Sequence, residues 1–226
     1  MPGAARKQRT QPAPRPRLSP EHRREQLLTV AARLLTEQGV DGLQFTELAA
    51  AAGVTRPVVY KFFPSRPALI AAVLGDFEDA LRKRFVEGAA RHLPGTLEEI
   101  TRVFVDAVCD AIEDKGAGPW HLLASNGPDP EAARLGREIQ ERLVAPWYQR
   151  IAEATGASPR EVETVSAMLV AAGRAVLERW YAGGLSRAEA ARDATRGVSA
   201  LLRAFMRDEG ETPPSGPRPR RRAVRG

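Results

Sequence analysis

The chain has 226 residues, 43% apolar and 27% charged, with a formal net charge of +6, enough for a packed core in one large or two small domains. Its single cysteine, Cys109, excludes an intrachain disulfide, and no apolar run approaches the ~20 residues of a membrane span. The basic N-terminus is followed by no apolar stretch of signal-peptide length, so the expected location is a reducing cytoplasm, away from membranes.

Taken in chain order, residues 1–18 are rich in Pro, Arg and Gln and carry Arg6, Lys7, Arg9, Arg15 and Arg17 without an acid, which reads as a disordered basic arm. Residues 208–226 read the same way, with Arg218, Arg220, Arg221, Arg222 and Arg225 among helix-excluding prolines. Residues 19–66 are nearly neutral, so residues 67–211 carry a net negative charge. Attraction to polyanions therefore resides at the two ends.

Between the tails the sequence reads as all-α, with about nine helices: 20–38, 45–52, 56–62, 66–92, 97–115, a short one near 119–125, 130–155, 159–182 and 187–207. Ser19-Pro20 supplies a cap followed by proline at the first helical position. Capping boxes recur at Thr96…Glu99, Ser158…Glu161 and Ser186…Glu189, and Asp129-Pro130 is a further start. Gly39, Gly53, Gly116, Gly156 and Gly183-Gly184 supply stops. Pro146 lies inside the predicted helix 130–155 and should kink it, as a gate beside a cavity or as a static bend.

Residues 44–63 carry the most chemistry. Phe45, Leu48, Ala49 and Ala52 form one face of a two-turn helix, Gly53 permits a sharp turn, and Thr55 and Pro57 suit the start of a second helix. With Val54, Val59 and Phe63 turned inward, the outward set is Thr55, Arg56, Val58, Tyr60, Lys61 and Phe62. Arg56 suits a guanine edge, Val58 a thymine methyl, and Thr55, Tyr60 and Lys61 phosphates. A helix, a glycine and a helix can also be a plain αα-hairpin. The cationic face and the basic arm upstream favour DNA. The preceding helix, with Leu27, Ala31, Leu34 and Leu35 on one face, completes a three-helix unit.

Leu48-Ala49…Ala52-Gly53-Val54-Thr55-Arg56…Val59-Tyr60…Phe63-Pro64-Ser65-Arg66…Ala68-Leu69 resembles the N-terminal domain of the TetR family of bacterial regulators. Ala31-Ala32…Leu34-Leu35…Gln38-Gly39 resembles that family's first helix. The resemblance covers about residues 20–75. It implies a DNA-binding domain over 19–66 and a ligand-binding and dimerisation domain over 67–207. It also implies that Arg56 and Val58 read bases, that Tyr60 and Lys61 touch phosphate and bases, and that Gln44 and Thr46 touch the backbone. Arg66, in the family's lysine position, would bind phosphate at a helix start. Gln44, Pro57-Val58, Phe62 and Pro67 depart from the family's usual residues, so Pro57 and its neighbours leave the operator sequence open.

The remaining helices suggest a sensor. Val162, Val165, Leu169, Ala172 and Val176, and likewise Ala191, Ala194, Val198, Leu201 and Phe205, form seams at 3- and 4-residue spacing. Each seam can face its own chain or a second copy. The resemblance implies a homodimer through helices 159–182 and 187–207. Residues 97–155 would hold a small-molecule cavity, with Phe104, Val108, Cys109, Trp120, His121, Leu122, Trp147 and Tyr148 as lining candidates, although aromatics at helical spacing are also ordinary core. No catalytic constellation, metal-ligand spacing or cofactor motif is found, and Cys109 with His121 lacks a third orienting residue. The expected function is a one-component regulator: a dimeric repressor on a palindromic double-stranded DNA operator, released by an apolar or aromatic effector. The alternative is a constitutive, sequence-tolerant or architectural DNA-binding protein with a C-terminal dimerisation domain.

Overall fold

The structure, a computed structural model, describes residues 18–92, 95–124 and 130–206. The arm expected at 1–18 (Leu18 apart), the tail expected at 208–226 and the Asp129 cap lie outside the described residues. The helices are α1 (Pro20–Gln38), α2 (Phe45–Ala52), α3 (Arg56–Phe62), α4 (Arg66–His92), α5 (Leu97–Lys115), α6 (Ala117–Ala124), α7 (Pro130–Val144), α8 (Tyr148–Thr155), α9 (Pro159–Tyr181) and α10 (Arg187–Phe205). None of the described residues forms a strand, and no single helix among them is long and apolar enough to cross a membrane.

The punctuation read from the sequence explains most of these boundaries. Ser19 caps α1, and full capping boxes open α5, α9 and α10, each with the serine or threonine side chain and the glutamate three residues on satisfying each other's backbone amides. Among the helix-ending glycines, Gly53 sits at φ +64°, in the left-handed region where a Cβ would be strained.

One expectation needs correction. The predicted single helix 130–155 is two helices, α7 and α8, separated by a 3-10 turn at Ala145–Trp147, which makes ten α-helices among the described residues. Pro146 falls inside that turn, and proline has no N–H to continue an α-helical ladder.

The expected boundary at 66–67 coincides with the start of α4, but packing is continuous across it. One buried cluster runs from Leu27 and Leu48 through Phe63 and Phe77 to Val108, Leu177 and Ala190. The tightest point is where α6 meets α1. The Gly118 amide donates to Thr36 Oγ1 at 2.9 Å. A Cβ on Gly118 would lie 2.5 Å from the Thr36 nitrogen and 2.6 Å from Leu35 Cβ. Ion pairs brace α4 from the other side. Glu78 accepts two bonds from Arg142 of α7 at 3.0 and 2.7 Å, and Asp76 pairs with Lys115 of α5 at 2.9 Å.

Candidate nucleic-acid interface and interior cavity

α2 and α3 meet around the turn at Gly53, whose amide bonds the carbonyls of Ala49 and Ala50, while the Val54 amide bonds Ala49 at 2.9 Å. Phe45, Leu48, Ala49, Ala52, Val59 and Phe63 are buried. Gln26 of α1 adds a polar tie, donating from Nε2 to the Ala52 carbonyl at 3.3 Å. The apolar side of the motif thus fixes which side chains face out.

Those are Gln44, Thr46, Thr55, Arg56, Pro57, Tyr60 and Lys61, all exposed, while Val58 and Phe62 are half-buried. Tyr60 is 48% exposed, and its ring stands edge-on against Phe45 with centroids 4.7 Å apart. The Arg56 guanidinium lies 6.0 Å over the Tyr60 ring, with Nη2 3.5 Å from the phenol oxygen. Phe45 therefore props Tyr60, and Tyr60 orients Arg56. The sequence marked Phe45 only as core, because a contact spanning two helices leaves no local periodic signal. Neither Gln44 nor Thr55 makes a side-chain cap bond. Gln44 instead donates from Nε2 to the Asp41 carbonyl at 3.1 Å. Caps are the usual partners of first-turn amides, so the start of α2 keeps amides available to a phosphate.

Arg66, expected to bind phosphate, also has partners in its own chain. Its guanidinium is half-buried and donates to the Leu43 carbonyl at 3.2 Å and the Val40 carbonyl at 2.7 Å. A long side chain at the head of α4 satisfies the carbonyls of the 40–43 turn, and so positions the entry to α2.

Beyond α4 an apolar cavity of about 160 Å³ is lined by Leu81 of α4, Phe104 and Val108 of α5, Trp120 of α6, Leu143 of α7, Ile151 of α8, Leu169 and Ser166 of α9 and Val198 of α10, with Trp147 between α7 and α8. Phe85, Phe104 and Trp147 form an edge-to-face cluster, with Phe85 and Trp147 centroids 5.1 Å apart. Of the candidates picked from sequence, Phe104, Val108, Trp120 and Trp147 line the cavity. Cys109, His121, Leu122 and Tyr148 do not. Neighbouring helical positions are turned by about 100°, so Val108 and Cys109, or Trp120 and His121, cannot share one narrow face. Cys109 is fully buried, and desolvation pushes its thiol up to about 12 despite the pull of Arg187. That thiol stays protonated and is a poor nucleophile. His121 is exposed, its ring edge-on to Tyr181 at 5.5 Å. Leu122 is buried in the main core. Tyr148 borders an outer recess with Arg137, Glu141 and Glu163, and donates its hydroxyl to Glu141 at 3.0 Å. Desolvation first, and the Glu141 bond second, raise the Tyr148 phenol above its ordinary range. The α9 and α10 contributors carry no sequence sign of a cavity, because an apolar seam at 3- and 4-residue spacing fits a core, a partner helix or a cavity wall alike. Among the described residues no group of three or more His, Cys, Asp or Glu could hold a metal ion.

The α9 seam and most of the α10 seam turn toward the chain's own interior, but Phe205 at the end of the α10 seam is exposed. Val162 and Val165 are buried with Ile151 and Leu202, and Leu169, Ala172 and Val176 are half-buried. The outward stripe of α9 is instead Ala167, Met168, Ala171 and Ala175.

Residues 27–73 match the sequence model of the family described as bacterial regulatory proteins, tetR family. The chain is 29% identical over 159 residues to the HTH-type transcriptional activator FasR of Mycolicibacterium smegmatis, covering 69% of this chain and 70% of that protein. It is 31% identical over 98 residues to the HTH-type transcriptional repressor KstR2 of the same organism, covering 43% and 47%. A TetR-like transcriptional regulator from Rhodococcus sp. RHA1 shares the fold at 19% identity, with a TM-score of 0.66 over 83% of this chain and 99% of that one. A tetR-family regulator from Streptomyces coelicolor superposes with a TM-score of 0.62 at 25% identity, covering 83% of each chain.

Proposed function

Since this chain belongs to the TetR family of bacterial transcriptional regulators and carries that family's helix-turn-helix, we propose that it is a dimeric repressor of a palindromic operator, released when a small molecule occupies the interior cavity. The observation that carries this reading is the direct mechanical joint between the two functional regions. Three residues separate α3 from α4, which reaches the cavity at Leu81. α6, which supplies Trp120 to the cavity, is locked onto α1 through Gly118 and Thr36. A molecule that spreads the cavity walls therefore acts on helices that hold the reading head. It must bind the released arrangement more tightly than the DNA-bound one to shift the balance.

Dimerisation through α9 and α10 is supported by their outward surface. Ala167, Met168, Ala171 and Ala175 of α9 lie exposed, as do Ala200 and Ala204 of α10. A Cβ placed on Gly197 would meet nothing within 4 Å, so a partner helix can approach closely there. Two copies related by a two-fold axis would set their α3 helices about 34–36 Å apart, one turn of DNA.

Selection of genomic fragments with the full chain, followed by footprinting and mobility-shift titration with candidate effectors, tests the proposal. The expected result is one short protected palindrome, lost on adding an effector and followed by induction of the adjacent gene. Diffuse protection without sequence preference would overturn the operator reading, and effector-dependent activation would overturn repression.

A further inference from the structure

Two polar atoms in the cavity wall are buried without a hydrogen-bond partner: Trp120 Nε1 and Ser166 Oγ. Ser166 is only 3% exposed. Trp120 Nε1 can only donate, and Ser166 Oγ can do either. An N–H held away from water without an acceptor costs stability, and an arriving acceptor recovers it. The rest of the lining is almost wholly apolar. Arg174 is the sole charged side chain among the described lining residues, and no carboxylate is among them. Arg174 lies 3.7 Å from Glu178 on its own helix. A cation inside the cavity would therefore find no counter-charge. The volume also limits the occupant, since an apolar cavity of ~150 Å³ holds about one benzene ring.

We infer that the cavity takes a neutral, ring-sized apolar molecule bearing one acceptor oxygen, of the aryl ketone or aryl ester class, with that oxygen bonded to Trp120 Nε1 or Ser166 Oγ. The inference rests on the cavity being the effector site, and it names the chemistry of that effector. The aromatic edges of Phe104 and Trp147 pack the ring. The oxygen replaces a missing partner without bringing a charge.

Three probes of one skeleton test it on the full chain: acetophenone, ethylbenzene and protonated 1-phenylethylamine, titrated calorimetrically against the wild type, Ser166→Ala and Trp120→Phe. Acetophenone is expected to lose affinity by about three- to tenfold in at least one variant, while ethylbenzene holds or gains. In the unliganded protein Ser166→Ala is expected to raise Tm by about 2 °C, because the orphan hydroxyl is gone. Equal losses for acetophenone and ethylbenzene in both variants would overturn the inference, as would tighter binding of the ammonium probe than of acetophenone. If none of the three binds, the inference falls alone, because the proposed function requires only that some small molecule enter the cavity. If acetophenone binds with the expected dependence and leaves operator affinity unchanged, the inference stands and the effector reading falls alone.

Discussion

The reading head, α1 to α3, and the helices from α4 onward solve opposite problems with the same secondary structure. In α2 and α3 the functional side chains point out, and burial serves to orient them: Phe45 supports Tyr60, which supports Arg56. Around the cavity the candidate surface points in, and seven helices must come together before it exists. Helix starts differ in part along the same line: α5, α9 and α10 open with reciprocal capping boxes and α1 with the Ser19 cap, whereas the motif helices α2 and α3, like α8 beyond α4, open without a side-chain cap. A helix that meets phosphate benefits from amides its own chain leaves free, and a scaffold helix benefits from closing them.

The strongest way to break this division is at the joint. Gly118→Ala places a methyl within 2.5–2.7 Å of backbone and side-chain atoms of Leu35 and Thr36, and rigid backbone cannot yield as a flexible side chain does. The expected cost is about 3 kcal/mol in denaturant unfolding, together with loss of effector control over operator binding in whatever fraction folds. If Gly118→Ala is neutral in both, α6 does not bear on α1 as the geometry requires. Arg66→Ala comes next. It strips the Val40 and Leu43 carbonyls of a charged donor, for an expected loss of about 2 kcal/mol in stability. A pure phosphate ligand would instead leave stability unchanged and lower only DNA affinity, so the pair of measurements decides the role of Arg66.

How far each region could be read from sequence follows from the same contrast. The bounds of α2 and α3 were legible to the residue, because the apolar face, the glycine and the exposed cations all lie within twenty consecutive positions. The cavity was legible only where one helix supplied a bulky aromatic, as at Phe104, Trp120 and Trp147. Ser166, Leu169 and Val198 carry no sign that they share a space with Trp120, since that depends on how α9 and α10 dock. Arg66 shows a related limit. Its position after α3 fits a phosphate contact, and only the fold brings the 40–43 carbonyls within its reach.

Within the reading head, Arg56 and Lys61 should separate specificity from attraction. Arg56→Ala is expected to cost about 1–3 kcal/mol at one base pair of the operator and to relax preference there, as measured by selection from a randomised pool. Lys61→Ala is expected to weaken binding about evenly across sequences and to flatten the log–log salt slope by about 0.9. If the two variants exchange these signatures, the Arg56–Tyr60 stack is not the base-reading element.

The smallest expected effect tests the capped ends of the scaffold. Bonds from the Ser186 side chain first, and from its backbone amide second, hold the Glu189 carboxyl below the usual carboxylate range. The folded pKa is thus lower than the unfolded one. The stabilisation this gives is complete above the unfolded value near 4.3 and drains away as pH falls through the folded value. Glutamine can close the same box without titrating. Glu189→Gln should therefore match the wild type closely at neutral pH and lose less Tm than the wild type as the pH is taken below about 4. If Glu189→Gln instead loses as much Tm as the wild type on acidification, the Ser186–Glu189 box is open in solution, and α10 is no better closed at its start than α2, whose Gln44 makes no side-chain cap bond.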